Sequence, residues 1–181
     1  MLLLSLVCVG SIAASQTLHV FDLSHHPVDP FAAIGQIRVM LFVRTDCPIS
    51  QRYAPELQRI AQEFAHEPVQ FWLVFPDSSE TSQKIRAAIH DYNFPGTPVL
   101  DPEHLLVKLA QATVAPEAAV FDKQGKLVYH GRIDDRYVDI GKARPEAQIH
   151  DLESAIAALL AGKPIRRPET RAVGCSLAEV E

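Results

Sequence analysis

The sequence has no cluster of lysine and arginine: its 17 basic residues are outnumbered by 22 acidic ones, for a net charge of −5. Without a basic patch, nucleic acid and anionic membrane are excluded as the main partner. No apolar run reaches the ~20 residues a helix needs to cross a bilayer, so no membrane span is expected. Neither an internal repeat nor a low-complexity segment is visible. Cysteine is scarce, with three in 181 residues, so each is weighed individually. What is present, 48% apolar and 22% charged residues, suits one ordinary globular domain with short extensions and a sizeable core.

Residues 1–10 read M-L-L-L-S-L-V-C-V-G, followed by the small residues Ser11, Ala13, Ala14 and Ser15. That is the pattern of a secretory signal, with a cut after Ala13 or Ser15, although no basic residue precedes the apolar run. A buried N-terminal strand is the alternative. Read as a signal, residues 1–15 imply a periplasmic or secreted protein, and Cys8 leaves with them. Val7 stands before Cys8 where a lipid-anchor site has a small residue, so no anchor is expected. Cys47 and Cys175 then remain, an even number compatible with a disulfide in an oxidising compartment.

Residues 17–23 alternate as a first strand does, and 24–30, with two prolines, form a loop. Residues 36–43 are a near-continuous apolar run of β-formers, as in a strand buried on both faces. Residues 49–65 carry apolar side chains at helical spacing, with Pro48 at the first position, where proline is tolerated. A second buried strand over 69–75 follows, then a turn at 76–79 and a helix over 80–92. Residues 99–100 form a short strand, and a helix runs from 101 to about 111. Thr113 to Pro116 break that helix. A hairpin spans 118–122 and 127–130, turning at Lys123-Gln124-Gly125-Lys126. Residues 132–144 are polar and irregular, 145–161 form a last helix, and 163–181 form a tail. Early alternation gives a parallel β-α-β unit, and the late hairpin adds antiparallel strands. The domain is expected over 17–162.

Cys47 sits in Thr45-Asp46-Cys47-Pro48-Ile49-Ser50, where a buried strand meets the first turn of a helix. Unpaired N–H groups and the positive end of the helix dipole stabilise a thiolate there, and the thiolate is the reactive form. Arg44 would help if it points the same way, and Asp46 would oppose it. The plain alternative is a small buried hydrophobe.

Cys47-Pro48-Ile49-Ser50 resembles the C-P-x-C motif of thioredoxin-fold oxidoreductases with serine in place of the second cysteine. Val114-Ala115-Pro116, directly before a strand, resembles that family's cis-proline loop, which faces the active cysteine and supports the extended chain of a partner. T-D-C-P-I-S, R-Y-A-P-E and a late H-G-R-I-D-D-R-Y are together similar to bacterial redoxins of the alkyl hydroperoxide reductase and thiol-specific antioxidant group. The resemblance implies a thioredoxin-like α/β fold, a central mixed sheet flanked by helices with a C-terminal hairpin and helix. It implies a protein or small-molecule thiol or disulfide as partner, and no cofactor.

Two departures shape the expected activity. Ser50 can hydrogen-bond the thiolate but cannot close a local disulfide. The peroxidase pattern P-x-x-x-T-x-x-C is broken, with Met40 and Arg44 at its proline and threonine positions. Peroxide reduction therefore ranks below thiol–disulfide exchange. Cys175, in the tail, is the resolving thiol or disulfide partner in one reading; in the other it pairs between molecules or is inert. The expected site is Cys47, Cys175, Pro116, which shapes the groove, and Ser50.

Arg132 and Asp134 are expected to pair and order their loop. Glu117 is either a proton shuttle near the sulfur or a solvated strand-edge carboxylate. His19, His25, His26, His130 and His150 raise a rival class, a non-enzymatic copper- or zinc-binding or partner-docking module on the same fold. The C-x-x-x-C spacing of thioredoxin-fold copper chaperones is absent, and no metal site is expected.

Overall fold

The computed structural model describes residues 20–177. The signal-like segment at 1–15 and most of the first expected strand lie outside them. Seven strands form one mixed sheet in the order β2-β1-β5-β4-β3-β7-β8: β1 (Val20–Phe21), β2 (Pro27–Val28), β3 (Ile37–Phe42), β4 (Val69–Phe75), β5 (Thr97–Leu100), β7 (Glu117–Phe121) and β8 (Leu127–Gly131). β3, β4 and β5 run parallel. β7 and β8 extend one edge antiparallel, β1 and β2 the other. Helices α1 (Pro48–Glu63), α2 (Ser82–Tyr92), α3 (Leu105–Ala110) and α4 (Asp151–Leu160) complete the layers.

Strand β3 has a near-continuous apolar run, broken by Arg38, because both its faces are covered. Ile37, Val39 and Leu41 pack with Leu57 and Ile60 of α1, Ile85 of α2, and Leu152 and Ile156 of α4. Met40 and Phe42 point the other way, onto Leu106, Val107 and Ala110 of α3. Each such side chain taken from water contributes roughly 1.5–3 kcal/mol, which fixes the sheet between its helices. Arg38 alone is charged in β3, and its buried guanidinium donates to the Pro30, Phe31 and Gln36 carbonyls.

Several boundaries differ from those the sequence suggests. The loop at 24–30 contains β2, paired to β1. α3 begins at Leu105, because the Asp101 carboxylate accepts from the Leu105 and Val107 amides at 2.7 and 3.0 Å and starts the helix there. α4 begins at Asp151, not 145. Residues 148 and 149 donate instead to the buried Asp135 carboxylate at 2.6 and 3.0 Å. The stretch 132–144, expected to be irregular, holds a small hairpin of β9 (Tyr137–Asp139) and β10 (Lys142–Ala143).

The segment after α4 also has structure. The His130 amide donates to Pro168 O at 3.0 Å and the Thr170 amide donates to His130 O at 3.1 Å, laying the segment beside β8. Farther on, β11 (Cys175–Ser176) pairs antiparallel with β6 (Val114–Ala115), with Cys175 opposite Ala115 and Ser176 opposite Val114. Gly131 makes the first approach possible: a Cβ there would lie 2.1 Å from Thr170 O.

Candidate active site

β3 delivers the chain to the carboxyl end of the parallel strands, the end at which open α/β sheets hold their ligands. Cys47 caps α1 with extended backbone, Pro48 takes the first helical position, and the Cys47 carbonyl accepts from Gln51 N at 3.1 Å. The sulfur therefore meets amides that the first turn of the helix leaves unpaired.

Across from it, the Ala115–Pro116 peptide bond is cis. The Cys47 thiol donates to Ala115 O at 3.1 Å. β11 lies along the same short strand, so Cys175 arrives at the Cys47 sulfur. Both cysteines are free thiols, and Cys47 is 0% exposed. Burial alone would raise the Cys47 pKa. Hydrogen bonds from the Cys175 thiol, the Ser50 amide and hydroxyl, and the Cys175 amide outweigh it, so the net shift is downward. Cys175 moves oppositely. Burial, its hydrogen bond to Cys47 and the charge on Cys47 push it up to about 11. The two thiols are a polarised pair in which Cys47 ionises first.

The surroundings hold this geometry. Thr45, two residues before Cys47, donates its amide and hydroxyl to the buried Glu80 carboxylate at 2.7 and 2.5 Å. Burial raises Glu80 above the usual carboxyl range despite these bonds. Arg44 is engaged by Asp46 at 3.0 Å and Asp77 at 3.2 Å, and donates to Ser176 O at 3.2 Å. It thus binds the tail, with its charge balanced by carboxylates. Ser50 Oγ is fully enclosed and has no partner while Cys47 is a thiol, which leaves it free to donate to the Cys47 thiolate.

Glu117 is buried, not solvated as one expectation had it. Its carboxylate accepts from the Thr113 and Val114 amides at 2.8 and 3.2 Å and so shapes the loop before Pro116. The expected Arg132–Asp134 pair does not form. Arg132 binds Asp151 at the start of α4 at 2.7 Å, while the buried Asp134 carboxylate accepts from the Tyr53 hydroxyl of α1 at 2.5 Å and from the Arg136 amide at 2.8 Å. Among the described residues, the one cluster with metal-ligand spacing is Glu56, His150 and Glu153. It excludes Cys47 and is bridged by Arg59, which donates to both glutamates.

Glu80 and Arg44 were not foreseen as parts of the site. A buried carboxylate at the head of a helix has no sequence signature, and nothing local to Arg44 marks it as a contact for the distant tail.

No helix among the described residues is long and apolar enough to cross a membrane. No curated protein matches the chain. Solved structures share its thioredoxin-like fold. An uncharacterised conserved protein from Geobacillus kaustophilus is 22% identical, with a TM-score of 0.68, covering 81% of this chain and 78% of that one. A secreted Mycobacterium tuberculosis disulfide oxidoreductase homologous to E. coli DsbE is 17% identical, with a TM-score of 0.55, covering 82% and 99%. A putative thiol:disulfide interchange protein DsbE from Chlorobium tepidum is 19% identical, with a TM-score of 0.54, covering 70% and 81%. The AhpC/TSA family pattern matches residues 9–130 of the 181, more than half of the chain. That stretch carries the Cys47 helix start and the cis-proline loop that meets it, and the chain belongs to the AhpC/TSA family.

Proposed function

We propose that the protein is a thiol–disulfide oxidoreductase whose working dithiol is Cys47 and Cys175. The observation that carries this is the polarised pair: two free thiols brought together by the pairing of β11 with β6, one lowered and one raised in pKa, beside a cis-proline.

The Cys47 thiolate attacks one sulfur of a substrate disulfide, and the other sulfur leaves with the bonding pair and takes a proton from water. In the resulting mixed disulfide Cys47 no longer carries charge. The two influences through which Cys47 holds Cys175 protonated are thereby removed, and Cys175 ionises more readily. It attacks Cys47 Sγ, the substrate leaves as a thiol, and the Cys47–Cys175 disulfide remains. Two electrons have passed to the substrate, and an external dithiol restores the protein. Ser50 supports the thiolate and Pro116 shapes the groove.

Peroxide reduction is the second activity in rank. Met40 is buried against the α3 face of the sheet and Arg44 is bound to two carboxylates, so neither serves a peroxide pocket. An exported location accompanies the proposal, supported by the signal-like composition of residues 1–15 and by the secreted Mycobacterium relative.

The test is to treat reduced protein with one equivalent of a small aromatic disulfide. Wild type should release two equivalents of the aromatic thiol and yield a Cys47–Cys175 peptide by mass spectrometry. Cys175→Ser should stop after one equivalent with the adduct on Cys47. A Cys47→Ser protein that reacts as fast as wild type would refute the assignment.

A further inference from the structure

Cys47 is completely covered, yet its proposed chemistry requires a substrate sulfur to reach it. The cover is the tail. β11 pairs with β6, the Leu177 amide donates to Thr113 O at 3.1 Å, Arg44 holds Ser176 O, and the Leu177 side chain is buried on the α3 side of the sheet. This is how an extended polypeptide would be seated: backbone pairing along β6, a cysteine at the sulfur, and an apolar anchor two residues on.

Gly174 adds a constraint. A Cβ on it would lie 2.2 Å from Ala115 O, 2.5 Å from Ala115 C and 3.0 Å from Pro116 N. Those atoms are backbone, fixed by the cis-proline loop and by Glu117 bound to the Thr113 and Val114 amides. In this register the residue before the cysteine has no room for a side chain.

We propose that Gly174-Cys175-Ser176-Leu177 is a built-in occupant of the substrate cleft, and that the cleft takes extended polypeptide disulfides whose cysteine follows a glycine and precedes, by two residues, an apolar side chain. This rests on the reading of Cys47 as the attacking thiolate. The tail lifts, the substrate strand takes its place on β6, and Cys47 attacks the substrate sulfur to form the mixed disulfide. When the tail returns, Cys175 attacks Cys47 Sγ, and the two electrons of the dithiol end on the substrate. Because both strands use the same edge, the return of the tail also ejects the reduced chain. Resolution and release become one strand exchange.

The test uses full-length protein and synthetic peptides with thionitrobenzoate on the cysteine of Gly-Cys-Ser-Leu or Val-Cys-Ser-Leu. Attack on the peptide sulfur expels the aromatic thiolate, the better leaving group, which is read by its colour. The glycine peptide should react at least about tenfold faster, a typical discrimination for one misfitting side chain. Gly174→Val and Leu177→Ser each loosen the tail and should accelerate both peptides. The preference for glycine should survive in both variants, since it belongs to Ala115 and Pro116. Equal rates for the two peptides would overturn the specificity. Unchanged rates in both tail variants would overturn the tail as occupant. A small aromatic disulfide serves as reference: if Cys47 fails to react with it even in the loosened variants, the thiolate reading itself has failed and not the cleft.

Discussion

Oxidising the site ties position 47 to position 175, a loop of 128 positions. In the chain-entropy picture, closing such a loop removes about 5 kcal/mol of freedom from the unfolded chain. The folded protein needs little rearrangement, because β11 already holds Cys175 opposite Ala115 and in contact with the Cys47 sulfur. The increment is therefore expected nearly in full when Cys47 is protonated. Ionisation works against it. The lowered Cys47 pKa stabilises the reduced folded protein; that contribution is complete above the unfolded thiol pKa and disappears as pH falls through the folded value. The gap between oxidised and reduced protein should thus widen as pH falls. At roughly 2–4 °C per kcal/mol for a chain of this size, about 5 kcal/mol corresponds to about 10–20 °C in melting temperature. Thermal melts of protein oxidised with a stoichiometric disulfide, against protein held in excess dithiol, would measure it. The Cys47–Cys175 bond would be verified by mass spectrometry. Coincident melts with that bond in place would refute the view that the tail is docked in register before oxidation.

Other outcomes follow from neighbouring contacts. The pH midpoint of Cys47 alkylation should lie below that of an ordinary thiol; Ser50→Ala and Cys175→Ala each remove a donor to the thiolate and should raise it. An unchanged midpoint in both would show that other groups hold the charge. Glu80, raised by burial, favours folding in its protonated form. That contribution is present below the unfolded carboxyl pKa of ~4.3 and is lost as pH rises through the folded value. Glu80→Gln should flatten that descent in urea titrations run at successive pH values, and a descent of the same size would count against Glu80. Gly131→Ala places a side chain at φ +136° and 2.1 Å from Thr170 O. The backbone cost alone is about 1–3 kcal/mol, so its urea midpoint should fall clearly below that of wild type.

The legible parts of the sequence were those with a period or a chemical signature. β3 and β4 could be read because both sheet faces are covered, giving Ile37 to Phe42 and Val69 to Phe75 apolar runs interrupted only by Arg38 and Gln70. α1 was readable from its apolar spacing and Pro48. Cys47 and Pro116 stood out because a strand-to-helix junction and a proline before a strand are local patterns. β2, β9, β10 and β11 were not readable, since two or three residues carry no period. The start of α3 depended on a carboxylate reaching back from Asp101, and that of α4 on Asp135 claiming the preceding amides across 13 residues of chain. Cys175 was recognisable as a candidate partner, but its seat opposite Ala115 is a register between strands 60 residues apart in sequence. No local pattern encodes that register.

The shortness of β6 has a consequence for the opened molecule. Among the described residues its one strand partner is β11, so a lifted tail would leave bare N–H and C=O groups on an exposed edge. Long bare edges recruit identical chains and seed aggregates. Here the edge is two residues long and stops at Pro116, which has no N–H to donate. Such an edge can accept one short strand at a time and cannot template a growing stack. A cleft bared in the proposed exchange would therefore not seed aggregation along this edge.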